Sequence, residues 1–294
     1  MARSFGPVHF IPGADKGRYP HSNSVHVEGA GILIDAGADE ARYRGLLAGR
    51  GVKEIWLSHC HEDHLTHLDL FAGLPLVQMA CEAEALSGVE AILDGYGFER
   101  EDYRDYWRAR LSAEFNIRPR RATRYFTPGE ILDLGVCTVE FILSPGHTPG
   151  HTAFFFREPQ VLFMGDYDLT AFGPWYGDRR GSIEDTIASV RRLQQVPAKV
   201  WLTSHEDGCF EGDATEAFER YLAVIDAREA KLLDFLSQPR TMEDIVAACL
   251  VYRKPREPKA FFEWGEGAIM GKHIERLMRN GAVVLEDGCY RRVA

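Results

Sequence analysis

The sequence predicts an α/β protein of 294 residues, with a large domain over residues 1–225 and a small winged-helix-like domain over 226–294. Three observations predict it. Short apolar strands alternate with helical stretches through the first three quarters of the chain. Five of those strands end in a histidine or an aspartate, at Asp35, His59, His147, Asp166 and His205. After Asp226 the pattern changes to helices followed by a hairpin. Open α/β sheets bind ligands outside the carboxyl ends of their strands, so the expected site is assembled from distant parts of the chain.

Val25 to Ile34 reads as two strands joined by a turn at Glu28 to Gly31, with Asp35 ending the second. A helix is expected over Glu40 to Ala48, broken by Gly49 to Gly51, and Lys53 to Leu57 forms the next strand. A short helix is expected after His64, then a strand over Leu76 to Ala80. Glu90 to Asn116 combines charge with Tyr96, Phe98, Tyr103, Tyr106, Trp107 and Phe115 at helical intervals, which marks a helical insertion. Strands follow at Arg124 to Phe126, Ile131 to Leu134, Thr138 to Leu143, Ala153 to Phe156 and Val161 to Met164. Ser182 to Gln195 is a helix with Ser182 and Asp185 spaced as a capping box, and Lys199 to Leu202 is a strand ending at Thr203-Ser204-His205. In the last segment, helices are expected over Ala227 to Leu236, Thr241 to Leu250 and Gly267 to Arg279, with a hairpin turning at Asp287-Gly288. The linker between the domains falls near Glu219 to Glu229.

Composition narrows the class. The net charge is -10, and from Asp226 onward 12 Lys and Arg face 11 Asp and Glu, leaving 22 against 33 before it. That balance disfavours nucleic-acid and anionic-membrane partners, even with Arg253, Lys254, Arg256 and Lys259 clustered in the tail. The six cysteines form no Cys-x-x-Cys pair and read as reduced thiols of a cytoplasmic protein, and neither a signal peptide nor a membrane span is legible. The tail is expected to dock on the catalytic domain, shaping its cleft or a homodimer contact.

The densest chemistry lies at Ser58 to His67, Ser-His-Cys-His-Glu-Asp-His-Leu-Thr-His. His59, His61, Asp63 and His64 fall within six positions directly after Ile55-Trp56-Leu57, a mixture too rich for one small ion's open site. His59 and His61 share a face of an extended segment, while a turn presents Asp63 and His64 elsewhere, so two ions are expected. Cys60 points the other way and reads as a buried small side chain. His67 and His151 read as supporting or packing residues, and His9, His21, His26 and His273 have no constellation around them.

The stretch His59-Cys60-His61-Glu62-Asp63-His64 resembles the His-x-His-x-Asp-His signature of the metallo-β-lactamase superfamily. Asp35 after an apolar strand, His147 in Ser-Pro-Gly-His-Thr, Asp166 in Met-Gly-Asp and His205 after a late strand extend the resemblance over three quarters of the chain. It implies an αββα sandwich and two divalent metal ions, zinc first and iron or manganese as alternatives. His59, His61 and His147 would hold the first ion and Asp63, His64 and His205 the second, with Asp166 bridging. Asp63 is the implied catalytic residue, Asp35 a supporting residue beside the site, and Tyr167 a candidate substrate contact. The implied reaction is hydrolysis of an ester-like bond in a small-molecule substrate (thioester, lactone or phosphoester) by a metal-bridging hydroxide. Resemblance to glyoxalase II is limited, because its carboxyl-terminal region supplies basic residues for glutathione whereas this tail resembles a winged helix.

Two alternatives stand beside that reading. One is a mononuclear iron oxidoreductase similar to persulfide dioxygenases, which keep the signature. Diiron relatives carry Glu at the second His of the signature, and His61 counts against them. The other is a small nuclease of the same superfamily.

Overall fold

The computed structural model describes residues 3–293; Met1, Ala2 and Ala294, the outermost residues of the two expected domains, lie outside the described residues. The first sheet runs β1 (Arg3–Phe5), β2 (Val8–Ile11), β3 (Ser24–Val27), β4 (Ile32–Ile34), β5 (Glu54–Trp56), β6 (Leu76–Gln78) and β7 (Arg124–Tyr125), in sequence order across the sheet. Its first three pairings are antiparallel and its last three parallel. The second sheet has six strands: β8 (Ile131–Asp133), β9 (Thr138–Leu143), β10 (Thr152–Phe156), β11 (Val161–Phe163), β12 (Val200–Leu202) and β13 (Cys209–Glu211).

The two sheets pack face to face with helices outside, giving the expected α/β sandwich, and strand alternation explains the layers. In β11, Val161 and Phe163 join the core between the sheets while Leu162 faces the outer helices. Trp56 of β5 likewise enters the intersheet core, at 0% exposure, and its neighbours Ile55 and Leu57 meet the helices on the other side. Both faces are buried, so these strands read as continuous apolar runs.

Helices α1 (Glu40–Ala48), α2 (Glu62–Leu65), α3 (Val89–Tyr96) and α4 (Glu101–Ala113) cover the first sheet. Asp39 caps α1 by accepting from Arg42 N at 2.7 Å. The short helix expected after His64 begins instead at Glu62, so Asp63 and His64 lie in its first turn, and a 3-10 turn over Leu68–Phe71 follows. Helices α5 (Ile183–Gln194), α6 (Thr215–Phe235), α7 (Met242–Ala247) and α8 (Lys259–Arg279) cover the second sheet and continue into a hairpin, β14 (Val283–Glu286) and β15 (Cys289–Arg292). Only half of the expected capping box forms at α5: Ser182 accepts from Asp185 N, but the Ser182 amide donates to the Gly146 carbonyl. The full box forms at α7 between Thr241 and Asp244.

Two other expectations change. Glu219–Glu229, read as a linker, is the interior of α6, a single helix of 21 residues. Ala217, Phe218, Tyr221, Leu222 and Ile225 are buried along it, so packing against the second sheet extends it well ahead of the start at Ala227 that sequence periodicity suggested. The tail is therefore joined through a rigid element, and α6 to α8 with the hairpin form a small unit consistent with a winged-helix-like extension. Among the described residues no helix is long and apolar enough to cross a membrane.

Candidate metal centre

The chain ends of β4, β5, β9, β11 and β12 meet at one edge of the sandwich, bringing Asp35, His59, His147, Asp166 and His205 together with the first turn of α2. Close approach shapes this edge. A Cβ on Gly37 would fall 1.8 Å from the Asp63 carbonyl oxygen, so only glycine lets the chain after β4 pass beneath α2. Gly165 has φ +56° and a Cβ there would lie 2.5 Å from His151 Nε2, the atom that accepts from the Asp166 amide at 3.1 Å.

Ligand atoms of His59, His61, His147 and Asp166 lie within 4.8 Å of one another, as do those of Asp63, His64 and His205. Five imidazoles are each tied on their outer side to an oxygen. His61 Nε2 donates to Asp178 Oδ2 at 2.7 Å, His64 Nδ1 to Asp35 Oδ2 at 2.9 Å, and His147 Nδ1 to the Trp175 carbonyl at 3.2 Å. His205 Nδ1 donates to the Gly17 carbonyl at 2.8 Å. Ser58 Oγ gives its own proton to Asp35 Oδ2 and accepts from His59 Nδ1 at 3.0 Å. A neutral imidazole carries one N–H, so each inner nitrogen is left as a lone pair.

Those lone pairs face other acceptors. His147 Nε2 is 2.9 Å from His61 Nδ1 and 3.1 Å from His59 Nε2. His64 Nε2 is 2.9 Å from Asp166 Oδ1, and His205 Nε2 is 3.3 Å from both Asp63 Oδ2 and Asp166 Oδ2. Asp63 Oδ2, His64 Nε2 and Asp166 Oδ1 are buried without a hydrogen-bond partner. Facing acceptors repel unless a cation lies between them. Zinc–nitrogen bonds of about 2.0–2.1 Å at a tetrahedral angle separate their donors by about 3.3 Å, close to these spacings. The residues fit a pair of divalent metal ions.

Without metal, the electrostatics divide the cluster, holding protons on His64 and His205 through their carboxylate neighbours and keeping His59 neutral. Burial disfavours charge on Asp166, yet His64, His205, His59 and His147 hold its carboxyl well below the usual range. Burial also opposes protonation of His61, but Asp178 outweighs it and pushes the ring up to about 9 in the absence of metal. Burial, reinforced by His64, pushes His59 well below its ordinary value.

Several residues expected near the site have other tasks. Tyr167, the candidate substrate contact, is 0% exposed; its hydroxyl donates to the Ser144 and Pro145 carbonyls and fixes the loop that carries His147. Cys60 is buried, with Sγ donating to Gln78 Oε1 at 2.8 Å. His67 packs edge-on to Tyr43, away from the cluster. Sequence reasoning missed Asp178, which no spacing connects to His61. It also missed the task of Glu62, a buried carboxylate pointing away from the ligands beside it and accepting from Tyr19 at 2.6 Å and from Tyr96. Glu62 thereby fastens the ligand helix to the insertion.

A family model described as metallo-beta-lactamase superfamily matches residues 19–205. A hydroxyacylglutathione hydrolase from Hyphomonas neptunium is 26% identical over 223 residues, 70% of this chain and 73% of its own. An acyl-coenzyme A thioesterase from Gallus gallus is 30% identical over 56% of this chain, which spans 63% of that protein. A solved metallo-beta-lactamase family protein from Thermus thermophilus superposes with a TM-score of 0.73 at 24% identity, over 98% of this chain and 99% of its own.

Proposed function

We propose that this chain, which belongs to the metallo-beta-lactamase superfamily, hydrolyses thioesters of small thiol carriers. It is a metal-dependent hydrolase with a dinuclear His and Asp cluster. The observation that carries the reading is the set of five imidazoles, four buried and His205 partly so, each with its N–H turned outward to an oxygen and its other nitrogen turned in. Zinc is the first choice for ions held there, with iron or manganese as alternatives. Bound at this cluster, the ions would supply Lewis acidity, lowering the pKa of a shared water toward about 7 and polarising the substrate carbonyl.

The chain's own residues do the rest. His59, His61 and His147 would hold the first ion, Asp63, His64 and His205 the second, and Asp166 both. Asp35, Ser58 and Asp178 fix ring orientation and tautomer before any substrate arrives. Aromatic rings pack beside the cluster: the Tyr96 ring lies 5.6 Å from His61, and Trp264 of α8 lies 5.1 Å from Tyr96 and 5.3 Å from Trp175. That packing supports a role for the tail in shaping the substrate site, through α8. Arg179 and Arg180, exposed and next to Asp178, suit an anionic carrier. The thioester class is supported by the two relatives named for acyl-glutathione and acyl-coenzyme A substrates. The first aligns over 223 residues, 70% of this chain.

The test is a panel of acyl-coenzyme A and acyl-glutathione thioesters, lactones, phosphodiesters and β-lactams, offered to zinc-loaded and manganese-loaded protein. Thiol release from thioesters at a kcat/KM well above the other classes is expected. One iron per chain, with oxygen consumed on a persulfide, would overturn the reading.

A further inference from the structure

The thioesterase reading leaves one carboxylate at the cluster without a task. Asp168 lies two residues beyond Asp166, and ligand atoms of Asp166, Asp168 and His205 lie within 4.8 Å of one another. Asp168 Oδ1 is shielded from solvent and has no hydrogen-bond partner, an arrangement that is costly unless something positive completes it. The neighbouring donors are already engaged. His205 turns its N–H to the Gly17 and His21 carbonyls, and Tyr221 gives its hydroxyl proton to the Asp166 carbonyl.

We propose that Asp168 is a further protein ligand of the second metal position, beside Asp63, His64 and His205 and the shared Asp166. The inference rests on the two-ion reading and adds an asymmetry to it. The first position would have three imidazoles and the shared carboxylate, a set that suits four-coordinate zinc. The second would have two imidazoles and three carboxylates, a harder and more crowded set that suits manganese or ferrous iron at higher coordination number. The two positions then select different metals from a mixture, and Asp168 is the residue that separates them.

The experiment uses full-length apoprotein equilibrated with equal zinc and manganese, desalted, and assayed for metal per chain by mass spectrometry and for bound Mn(II) by electron paramagnetic resonance. Wild type should retain two ions, one zinc and one manganese. Asp168→Asn should keep the zinc, bind the second ion at least about tenfold more weakly, and lose the bound Mn(II) spectrum, with an unchanged near-ultraviolet circular dichroism spectrum. Asp168→Glu, which restores a carboxylate, should recover manganese. Two ions in Asp168→Asn, with wild-type affinity and metal choice, would overturn this inference and leave the two-ion reading standing. So would a Glu variant indistinguishable from the Asn variant. A wild-type chain that binds a single ion would overturn both.

Discussion

Asp178 Oδ2 lies 2.7 Å from Nε2 of His61, 117 positions earlier in the chain, and both side chains are buried. The contact decides which nitrogen of His61 faces the cluster. The same carboxylate accepts from Trp175 Nε1 through its other oxygen at 2.9 Å, so its own position is fixed.

Asp178→Ala should therefore weaken binding of the first ion about 10- to 100-fold. Asp178→Asn should do less harm, because its amide oxygen can still accept from His61. Chelator competition measures both, and an unchanged affinity in the alanine variant would show that His61 is oriented by other means.

Asp63→Ala should lower metal content and activity together, since Asp63 Oδ2 is one of the buried oxygens without a partner. Cys60→Ser should spare both, because the thiol donates to Gln78 and turns away from the cluster. Metal analysis beside turnover separates the two variants, and full activity in a metal-depleted Asp63→Ala protein would refute the mechanism.

Removing the ions should destabilise the fold as well as silence it. With the cluster empty, imidazoles and carboxylates crowd one another, and only protons on rings such as His61 stand in for the ions. Metal at about 100 times its Kd stabilises by about 2.7 kcal/mol through mass action alone. A chelated sample should melt several degrees lower and recover on adding zinc or manganese; an unchanged Tm would mean that the cluster is held apart by the scaffold.

Trp264→Ala should raise KM for thioesters with bulky acyl groups more than it lowers kcat. The indole packs against Tyr96, Phe98, Trp107 and Trp175 and contacts no metal-binding residue. Because it is partly exposed, its stability cost should fall below the about 3–5 kcal/mol of a fully buried tryptophan. An equal effect on all acyl chain lengths would argue against a wall role.

His273 offers a pH test in the tail. Burial lowers its pKa below the ordinary value against the opposing pull of Glu229, while Arg228 and Arg276 reinforce the lowering and Tyr176 shares a hydrogen bond with its Nε2. The unfolded chain takes up a proton near about pH 6.5 that the folded chain refuses, so this contribution to stability is present above that pH and lost as pH falls. His273→Gln should reduce the fall in Tm between about pH 7.5 and 5.5. A fall as large as wild type's would assign the acid sensitivity to other groups.

The sequence by itself determined the apolar strands and which histidines and aspartates stand at their ends. Apolar strands buried on two faces and histidines placed at strand ends are local signals, written in neighbouring residues such as Ile55-Trp56-Leu57 followed by His59 and His61. Element lengths in the tail were less legible. Helix α6 runs through the expected linker because its buried stripe is completed by residues of the second sheet, which no window of the sequence contains. Only the tertiary structure decided which nitrogen each imidazole turns inward. The partners that settle it are carbonyls of Gly17 and Trp175, a serine hydroxyl, and the carboxylates of Asp35 and Asp178, brought up by separate loops. Hydrogen-bond direction depends on where those groups come to rest in space, and residue spacing carries no record of it.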